Sequence, residues 1–581
     1  MTTSPGQEPQ ISASEAIWDA LEACGVDQVY GIPGAVTVRL YNALFDRRDR
    51  FNVVLTRHEQ TAAGMAEGYG RATRRPAVLL GQGAFVATNG GEPIIEAFMS
   101  GTPMLIIADA SINAFSQHGV YQSGTGDYGS FDLRQIMSGM TKYVAYATTP
   151  KETVQGIQLA YKHATSGRPG PTCVIVKDPS ALGMLDPNTP PIVYSTERYL
   201  SVAAPVAPPD AVKRAVDLII DARTPVIVSG NGVHHAQAYR ELQEFAEFLG
   251  AGVATSYRGK GTFAETHPQA LGVMGLFPEK AANAVVSEAD LIIAVGTRLS
   301  PSDTANENPL LIDPSRQKIL HVDVEPRNIG WTFPVDEGLV GDAGRVIRQI
   351  IDEMRAKEEQ IPADERAAHV IERKADHDYF HDPESESTTV PTRPERAIAE
   401  LNKALAPDAI VSLDAGNNRV WTTHYFQVKQ PGPMLIPGGT AGMGWGPPAI
   451  LGAKIAFPDR QCVSVSGDGG FGLSIQAVPT AVDQGLAVVF VVLNDSGLGM
   501  VMRGQGDKLI ASEFRPIDYA ELARVYGAKG YRITEPDQLG PALTTALQDD
   551  GPSVIDIVID PGVDYLKMRA TDLVGYQYRA I

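Results

Sequence analysis

Residues 467–501 read GDGGFGLSIQAVPTAVDQGLAVVFVVLNDSGLGMV, and two carboxylates among them are placed to share one ligand. Asp468 comes close behind the run CVSVS and Asp495 close behind AVVFVVL, so each stands where a strand gives way to a turn. They are 495 − 468 = 27 positions apart, a spacing suited to one strand–helix–strand unit. If the two strands are neighbours, both side chains meet at the carboxyl edge of the sheet, where α/β sheets bind ligands. Gly467, Gly469 and Gly470 let the backbone approach a diphosphate, and amides at the following helix start can bind its oxygens. Two carboxylates, a turn carbonyl and diphosphate oxygens make a hard, oxygen-rich site suited to Mg²⁺.

A third carboxylate has a different setting. Glu59, in VVLTRHEQTAAGMAEGYGRAT, ends a strand-like run and opens a helix-like one rich in Ala and Gly. Taken alone it is a helix-start carboxylate favoured by the macrodipole.

These groups need a scaffold larger than one core. A chain of 581 residues implies about three to four domains. With 44% apolar and 20% charged residues it has the balance of a globular protein, and a net charge of −19 argues against nucleic acid or an anionic membrane as partner. Cys24, Cys173 and Cys462 are scattered without CxxC spacing and read as buried apolar residues in a reducing compartment. The first residues, MTTSPGQEPQ, lack the apolar core of a signal peptide, and the cytoplasm is the expected location.

Three blocks alternate strand-like and helix-like segments. The first, 10–182, holds VVLT, AVLL, MLIIAD and TCVIVKD. The second, 205–355, holds TPVIVSG, GAGVATS, ADLIIAVGTRLS and QKILHVDVEP. The third, 390–565, holds AIVSLD, QCVSVSGDGG, LAVVFVVLND and SVIDIVID. A Pro-rich connector separates the first two, and a polar stretch over 357–393, expected at the surface or mobile, separates the last two. The tail, 566–581, is a candidate lid, as is the loop GQGDKLIASEF. Runs this apolar imply parallel strands covered on both faces. The expected fold class is α/β, with three doubly wound parallel-sheet domains and no short-period repeat.

GDG followed by LNDSGLGMVM resembles the motif of thiamine-diphosphate enzymes in its acetolactate synthase version. GNNRVW from Gly416, GGTAGMGWGPPAILGAKIAFPD from Gly438, ATSYRGKGTFAETHPQALGVMG and ILHVDVEP extend the resemblance over all three blocks. It implies a pyrimidine-binding, a central and a diphosphate-binding domain, with thiamine diphosphate and Mg²⁺ as cofactors. Asp468, Asp495 and the carbonyl of Gly497 become the metal ligands, with Asn494 the competitor if the register shifts by one. Gly416, Asn417, Asn418, Gly467, Asp468, Gly469, Gly470, Asp495, Gly499 and Met500 become cofactor contacts. Met443 matches the bulky residue that props the cofactor into its bent shape. Pro33, in the turn YGIPG, joins them near the pyrimidine. Glu59 falls where the family has its activating glutamate, which exchanges a proton with the far pyrimidine nitrogen. The cofactor's halves meet different subunits in this family, so the resemblance implies at least a homodimer, with a homotetramer expected.

The substrate side departs from acetolactate synthase. GQGAFVATN replaces SGPGATN and places Phe85 and Val86 where Pro-Gly would stand. Gly129 takes the position of an active-site Gln, leaving Gln122, seven residues earlier, as a catalytic candidate beside His118. Arg503 and Gly504 replace a Gln-Trp pair, which widens the pocket and makes Arg503 a candidate anchor for an anionic substrate. GTRLSPSDT lacks the flavin-associated Arg-Phe-Asp-Asp segment, so FAD is not expected. His234 and His235, after GNGV, are assigned no catalytic part. The expected activity is carbon–carbon bond cleavage or carboligation on a 2-oxo acid or acyloin, a small carbonyl substrate. The His118 loop also resembles those of oxalyl-CoA decarboxylase and pyruvate decarboxylase. The alternatives are therefore a 2-hydroxyacyl-CoA lyase or oxalyl-CoA decarboxylase, and a simple 2-oxo acid decarboxylase.

Overall fold

All the apolar runs but VVLT, which forms an edge strand, become inner strands of three parallel sheets, because each such run feeds two cores at once. In the first sheet Leu79 and Ile106 pack into one cluster while Val78, Leu80, Leu105 and Ile107 pack into another. Alternate residues of one strand point to opposite faces, so both faces are covered by helices. The structure is a computed structural model and describes residues 11–111, 121–185, 198 and 203–570. The chain is α/β throughout, with three six-stranded sheets.

The first sheet is built from β1 (Gln28–Gly31), β2 (Asn52–Leu55), β3 (Val78–Gln82), β4 (Met104–Asp109), β5 (Tyr143–Tyr146) and β6 (Pro171–Val176). Its order is β2-β1-β3-β4-β6-β5. The central sheet contains β7 (Pro225–Ser229), β8 (Gly252–Thr255), β9 (Ala270–Val273), β10 (Leu291–Val295), β11 (Lys318–Asp323) and β12 (Glu337–Val340), in the order β12-β11-β10-β7-β8-β9. The third contains β13 (Ile410–Leu413), β14 (Met434–Leu435), β15 (Cys462–Gly467), β16 (Val489–Asn494), β17 (Lys529–Ile533) and β18 (Ser553–Val558), in the order β14-β13-β15-β16-β18-β17.

Six of these strands had no counterpart among the apolar runs: β1, β5, β9, β12, β14 and β17. All but β1 lie at a sheet edge. An edge strand has a neighbour on one side only, and KGYRI of β17 and YVAY of β5 are accordingly mostly half-buried. The first and third sheets share one strand order once β13 is matched to β1, a duplication of topology with no visible repeat in sequence. The helices after their second strands, Glu59–Thr73 and Gly446–Ala456, pack on each other. A Cβ added at Gly68 would lie 2.2 Å from the carbonyl oxygen of Ala449, and one at Gly452 would lie 2.1 Å from that of Met65. Side chains there would force the helices apart. One apolar cluster consequently runs from the first sheet through both helices to the third.

The polar segment 357–393 lies largely at the surface, as expected, but one face of it is buried. It holds the helix Ala363–Ala375, whose Val370 is buried in the central core and whose Arg366 donates to the carbonyls of Leu249 and Ala222. The helix Ala343–Lys357 also crosses the expected boundary at 355. Of the tail, Met568 is buried and the Ala570 amide donates to Leu276 at 3.0 Å, while 571–581 lie outside the described residues. Most of the Pro-rich connector lies outside them too. Among the described residues no helix is long and apolar enough to cross a membrane.

A buried ion pair of the central unit reaches the third unit through a backbone hydrogen bond. Lys260 is wholly buried and both oxygens of Glu265 lie 2.7 Å from its Nζ, while Glu265 also accepts the Val428 amide at 2.7 Å. Lys260→Met is expected to destabilise the protein by about 3–5 kcal/mol, since it strands a buried carboxylate. Lys260→Met combined with Glu265→Gln should recover most of that loss in urea unfolding. A single variant with an unshifted midpoint would show that the pair does not hold these units together.

Candidate functional site

The two carboxylates come together because their strands are neighbours. β15 and β16 pair in parallel, with Gly467 opposite Leu493, so Asp468 and Asp495 both emerge at the carboxyl edge. Asp468 opens the helix Asp468–Leu473 and is 2% exposed. Burial and the facing Asp495 carboxylate push Asp468 up to about 8, and burial raises Asp495 as well. Like charges held together out of water disfavour their own ionised forms, and a hard divalent cation between them would relieve that. The Gly497 amide donates to Asp468 at 3.0 Å and the Tyr519 hydroxyl donates to its carbonyl at 3.0 Å, so the turn is fixed from both sides.

Asn494 is engaged elsewhere. Its side chain donates to Ile517 at 3.0 Å and to Asp556 at 2.9 Å, and it accepts the Ser496 amide at 3.2 Å. It stitches β16 to β18 and leaves the facing position to Asp495.

Every diphosphate-side position named from the sequence lines one cavity of about 290 Å³, from Gly416, Asn417 and Asn418 to Met443 and Met500. Its lining comes wholly from residues 415–559. Two buried acceptors there, Asn417 Oδ1 and Asn418 Oδ1, have no hydrogen-bond partner. A Cβ added at Gly499 would lie 2.4 Å from Asp495 Oδ2 and 2.7 Å from Asn417 Nδ2, so only a glycine leaves this wall open. Paired carboxylates and a glycine wall fit a diphosphate held through a divalent cation.

Glu59 lies at a different edge. It is half-buried as the first residue of the helix Glu59–Thr73, which His58 caps through its ring Nδ1, and Asn89 donates to its Oε2 at 2.9 Å. Asn89 caps the C-terminal end of the short helix Gly83–Thr88 in GQGAFVATN, where only Phe85 and Val86 had drawn notice. Nearby elements gather at the same carboxyl edge. Gln82 donates to Gln122 at 2.9 Å and lies against the Pro33–Gly34 turn. Asp109, at the end of β4, accepts the amides of Val36 and Gly83 and so joins the two turns. Gln122 has a φ of 66°, Pro33 is exposed and Phe85 is half-buried. His118 lies outside the described residues. Gly129 has a φ of 84° with nothing within 4 Å of an added Cβ.

Arg503 does not line the cavity; it pairs with Asp564 at 2.5 Å. The following loop folds back on the metal turn, with the Leu498 amide donating to Ser512 and the Phe514 amide to Ser496, both at 2.7 Å.

Asp414 escaped sequence reading, although it ends the run AIVSLD just before GNNRVW. It is buried and accepts the amides of Gly444, Trp445 and Gly446. Burial raises it to about 6 against those hydrogen bonds. A further cavity of about 450 Å³ separates the first and central units and is lined by Arg74, Arg168, Arg258, Arg298 and Asp323.

Three family models match the chain along its length. Residues 11–129 match the N-terminal TPP binding domain of thiamine pyrophosphate enzymes, 212–350 their central domain, and 414–557 their C-terminal TPP binding domain. Thiamine pyrophosphate is the same compound as thiamine diphosphate. A probable acetolactate synthase large subunit of Methanocaldococcus jannaschii is 32% identical over 563 residues, covering 95% of this chain and 92% of that protein. The acetolactate synthase large subunit of Corynebacterium glutamicum is 31% identical over 562 residues, covering 95% and 87%. A putative thiamine pyrophosphate-containing protein of Bacillus subtilis is 29% identical over 556 residues, covering 94% and 92%.

Proposed function

Because the chain belongs to the thiamine pyrophosphate enzyme family, on its acetolactate synthase-like side, and is an enzyme of carboligation or decarboxylation, we propose a narrower activity. It is a Mg²⁺-dependent carbon–carbon lyase or carboligase acting on a 2-oxo acid or acyloin, with a substrate pocket altered from that of acetolactate synthase. The observation that carries this reading is the Asp468–Asp495 pair at the wall of a glycine-lined cavity.

Thiamine diphosphate, when bound, supplies a carbon nucleophile and a sink for the electrons of the cleaved bond. The protein's own groups do the rest. Asp468, Asp495 and the Gly497 carbonyl would hold the cation, and the glycine wall would admit the diphosphate. Glu59 holds and returns a proton at its carboxyl, oriented by Asn89. Gln122, fixed by Gln82, offers an amide at the edge where a substrate carbonyl would approach. Gly129 and Gly504 leave room that larger side chains would fill. Arg503 faces Asp564 and contributes to substrate binding only if that pair opens.

The cavity's lining excludes Glu59's unit, which supports a site completed by a second copy and hence a homodimer or homotetramer. Three buried cysteines free of disulfides support a cytoplasmic location. The net charge of −19 argues against nucleic-acid or membrane partners.

The test is a mass-spectrometric screen of protein loaded with Mg²⁺ and thiamine diphosphate against 2-oxo acids, acyloins and 2-hydroxyacyl-CoAs. Turnover of a 2-oxo acid or acyloin is expected, and turnover confined to the thioesters would overturn it in favour of a second reading. That reading, a 2-hydroxyacyl-CoA lyase or oxalyl-CoA decarboxylase, draws on the arginine-lined cleft of about 450 Å³, which suits a nucleotide phosphate.

A further inference from the structure

We propose that Glu96 is a positioning residue for the cofactor, acting through the loop 438–446 that carries Met443. This rests on the reading of Met443 as the residue against which thiamine diphosphate bends. Glu96 is fully buried on the helix Gly91–Ser100 of the first unit, whereas the loop belongs to the third. Its carboxylate accepts four successive backbone amides, those of Gly438, Gly439, Thr440 and Ala441, at 2.9 to 3.1 Å. The next amide, of Gly442, donates to Glu92 at 3.1 Å, and the Thr440 hydroxyl donates to Glu92 at 2.6 Å. The amides of Gly444, Trp445 and Gly446 go to Asp414 at 3.0 to 3.2 Å. Of the backbone amides from 438 to 446, Met443's alone goes to none of the three carboxylates. Its side chain is 40% exposed and lines the diphosphate cavity.

Charge-assisted hydrogen bonds are the strong ones, and several converging on one carboxylate fix several peptide planes together. Glu96 is equipped for that. Burial opposes its charge, but Arg71, Ser100 and the loop amides hold its carboxyl down to about 2. Arg71 donates to Glu96 at 2.9 Å, to Glu67 at 2.6 Å and to the Ile436 carbonyl at 2.5 Å, and lies 4.6 Å over the Trp445 ring. The same guanidinium thus neutralises the carboxylate and grips both ends of the loop. Ala441 has a φ of 52°, a conformation a non-glycine residue keeps only when its surroundings impose it. A Met side chain is flexible, so a Met that must hold a bent ligand needs a fixed backbone beneath it.

The experiment compares wild type with Glu96→Gln. Wild type must first bind thiamine diphosphate with Mg²⁺; if it does not, the parent reading fails and this one with it. In Glu96→Gln the amides of 438–441 should exchange with deuterium about tenfold faster, and thiamine diphosphate affinity should fall about tenfold, as for loss of charge-assisted bonds. Inorganic diphosphate with Mg²⁺, which has no bend to support, should bind as tightly as to wild type. Unchanged exchange and affinity would overturn the proposal. So would equal losses for thiamine diphosphate and inorganic diphosphate, which would mark general damage to the third unit. If Glu96→Gln does not fold, Glu92→Gln decides: it should show the same pattern at smaller size around Gly442, and wild-type behaviour there would overturn the proposal.

Discussion

Glu59→Gln is expected to bind thiamine diphosphate and Mg²⁺ as wild type does, while turnover falls by about 10²–10⁴-fold. The residues proposed to hold the metal and the diphosphate lie on the third unit and do not include Glu59, so affinity should be largely unaffected. The amide keeps the size of the carboxyl and can still accept from Asn89, which donates to Glu59 at 2.9 Å. It cannot exchange a proton. Two measurements separate these statements: calorimetric titration of the cofactor, and deuterium exchange at the acidic ring carbon of the bound cofactor, which needs no substrate. Slow exchange at normal affinity supports the assignment. Exchange at the wild-type rate would remove Glu59 from the mechanism, whatever the substrate.

Asp468→Ala should have the larger effect on binding. It removes one of the paired carboxylates and the acceptor of the Gly497 amide, so cation and turn are lost together. Thiamine diphosphate affinity in Mg²⁺ should fall by more than the about 10–100-fold typical of an outer-shell partner. Asp495→Asn should stay much closer to wild type, because a neutral amide oxygen is an accepted ligand for a hard cation. Asn494→Ala probes the neighbouring position. It leaves the cation site and breaks the bonds to Ile517 and Asp556, so its cost should appear in stability. Mn²⁺ bound in place of Mg²⁺ and followed by electron paramagnetic resonance reads the site directly. Wild-type Mn²⁺ affinity in Asp468→Ala, or its loss in Asn494→Ala alone, would reassign the metal ligands.

The site was legible in unequal parts. The glycines and acids around Asp468 and Asp495 lie within a single strand–helix–strand unit, so their spacing along the chain nearly determines their spacing in space. The structure added that β15 and β16 are neighbours and that the Asn494 side chain is engaged with Ile517 and Asp556. Glu96 shows the opposite case. It reads as an acid in the apolar helix GGEPIIEAFMS, and its backbone-amide partners begin at residue 438, on another unit. No local pattern reports a contact over that separation, because the carboxylate meets backbone amides, which every residue type but proline carries. Asp414 falls between these cases: it stands at a strand end, but its amide partners follow about thirty residues later.

The residues by themselves determined the three α/β blocks, the inner strands other than β1, the paired acids and the glutamate at a helix mouth. Each of these depends on local periodicity or on residues close along the chain. Tertiary structure decided the rest. The edge strands form because an inner strand offers them unpaired backbone groups, a demand that half-buried sequences such as KGYRI meet without an apolar run. The shared strand order of the first and third sheets brings Glu59–Thr73 onto Gly446–Ala456 through glycine contacts, and this places Glu96 over the Met443 loop. Packing of whole units sets those distances, and packing is a property of surfaces that no single segment carries.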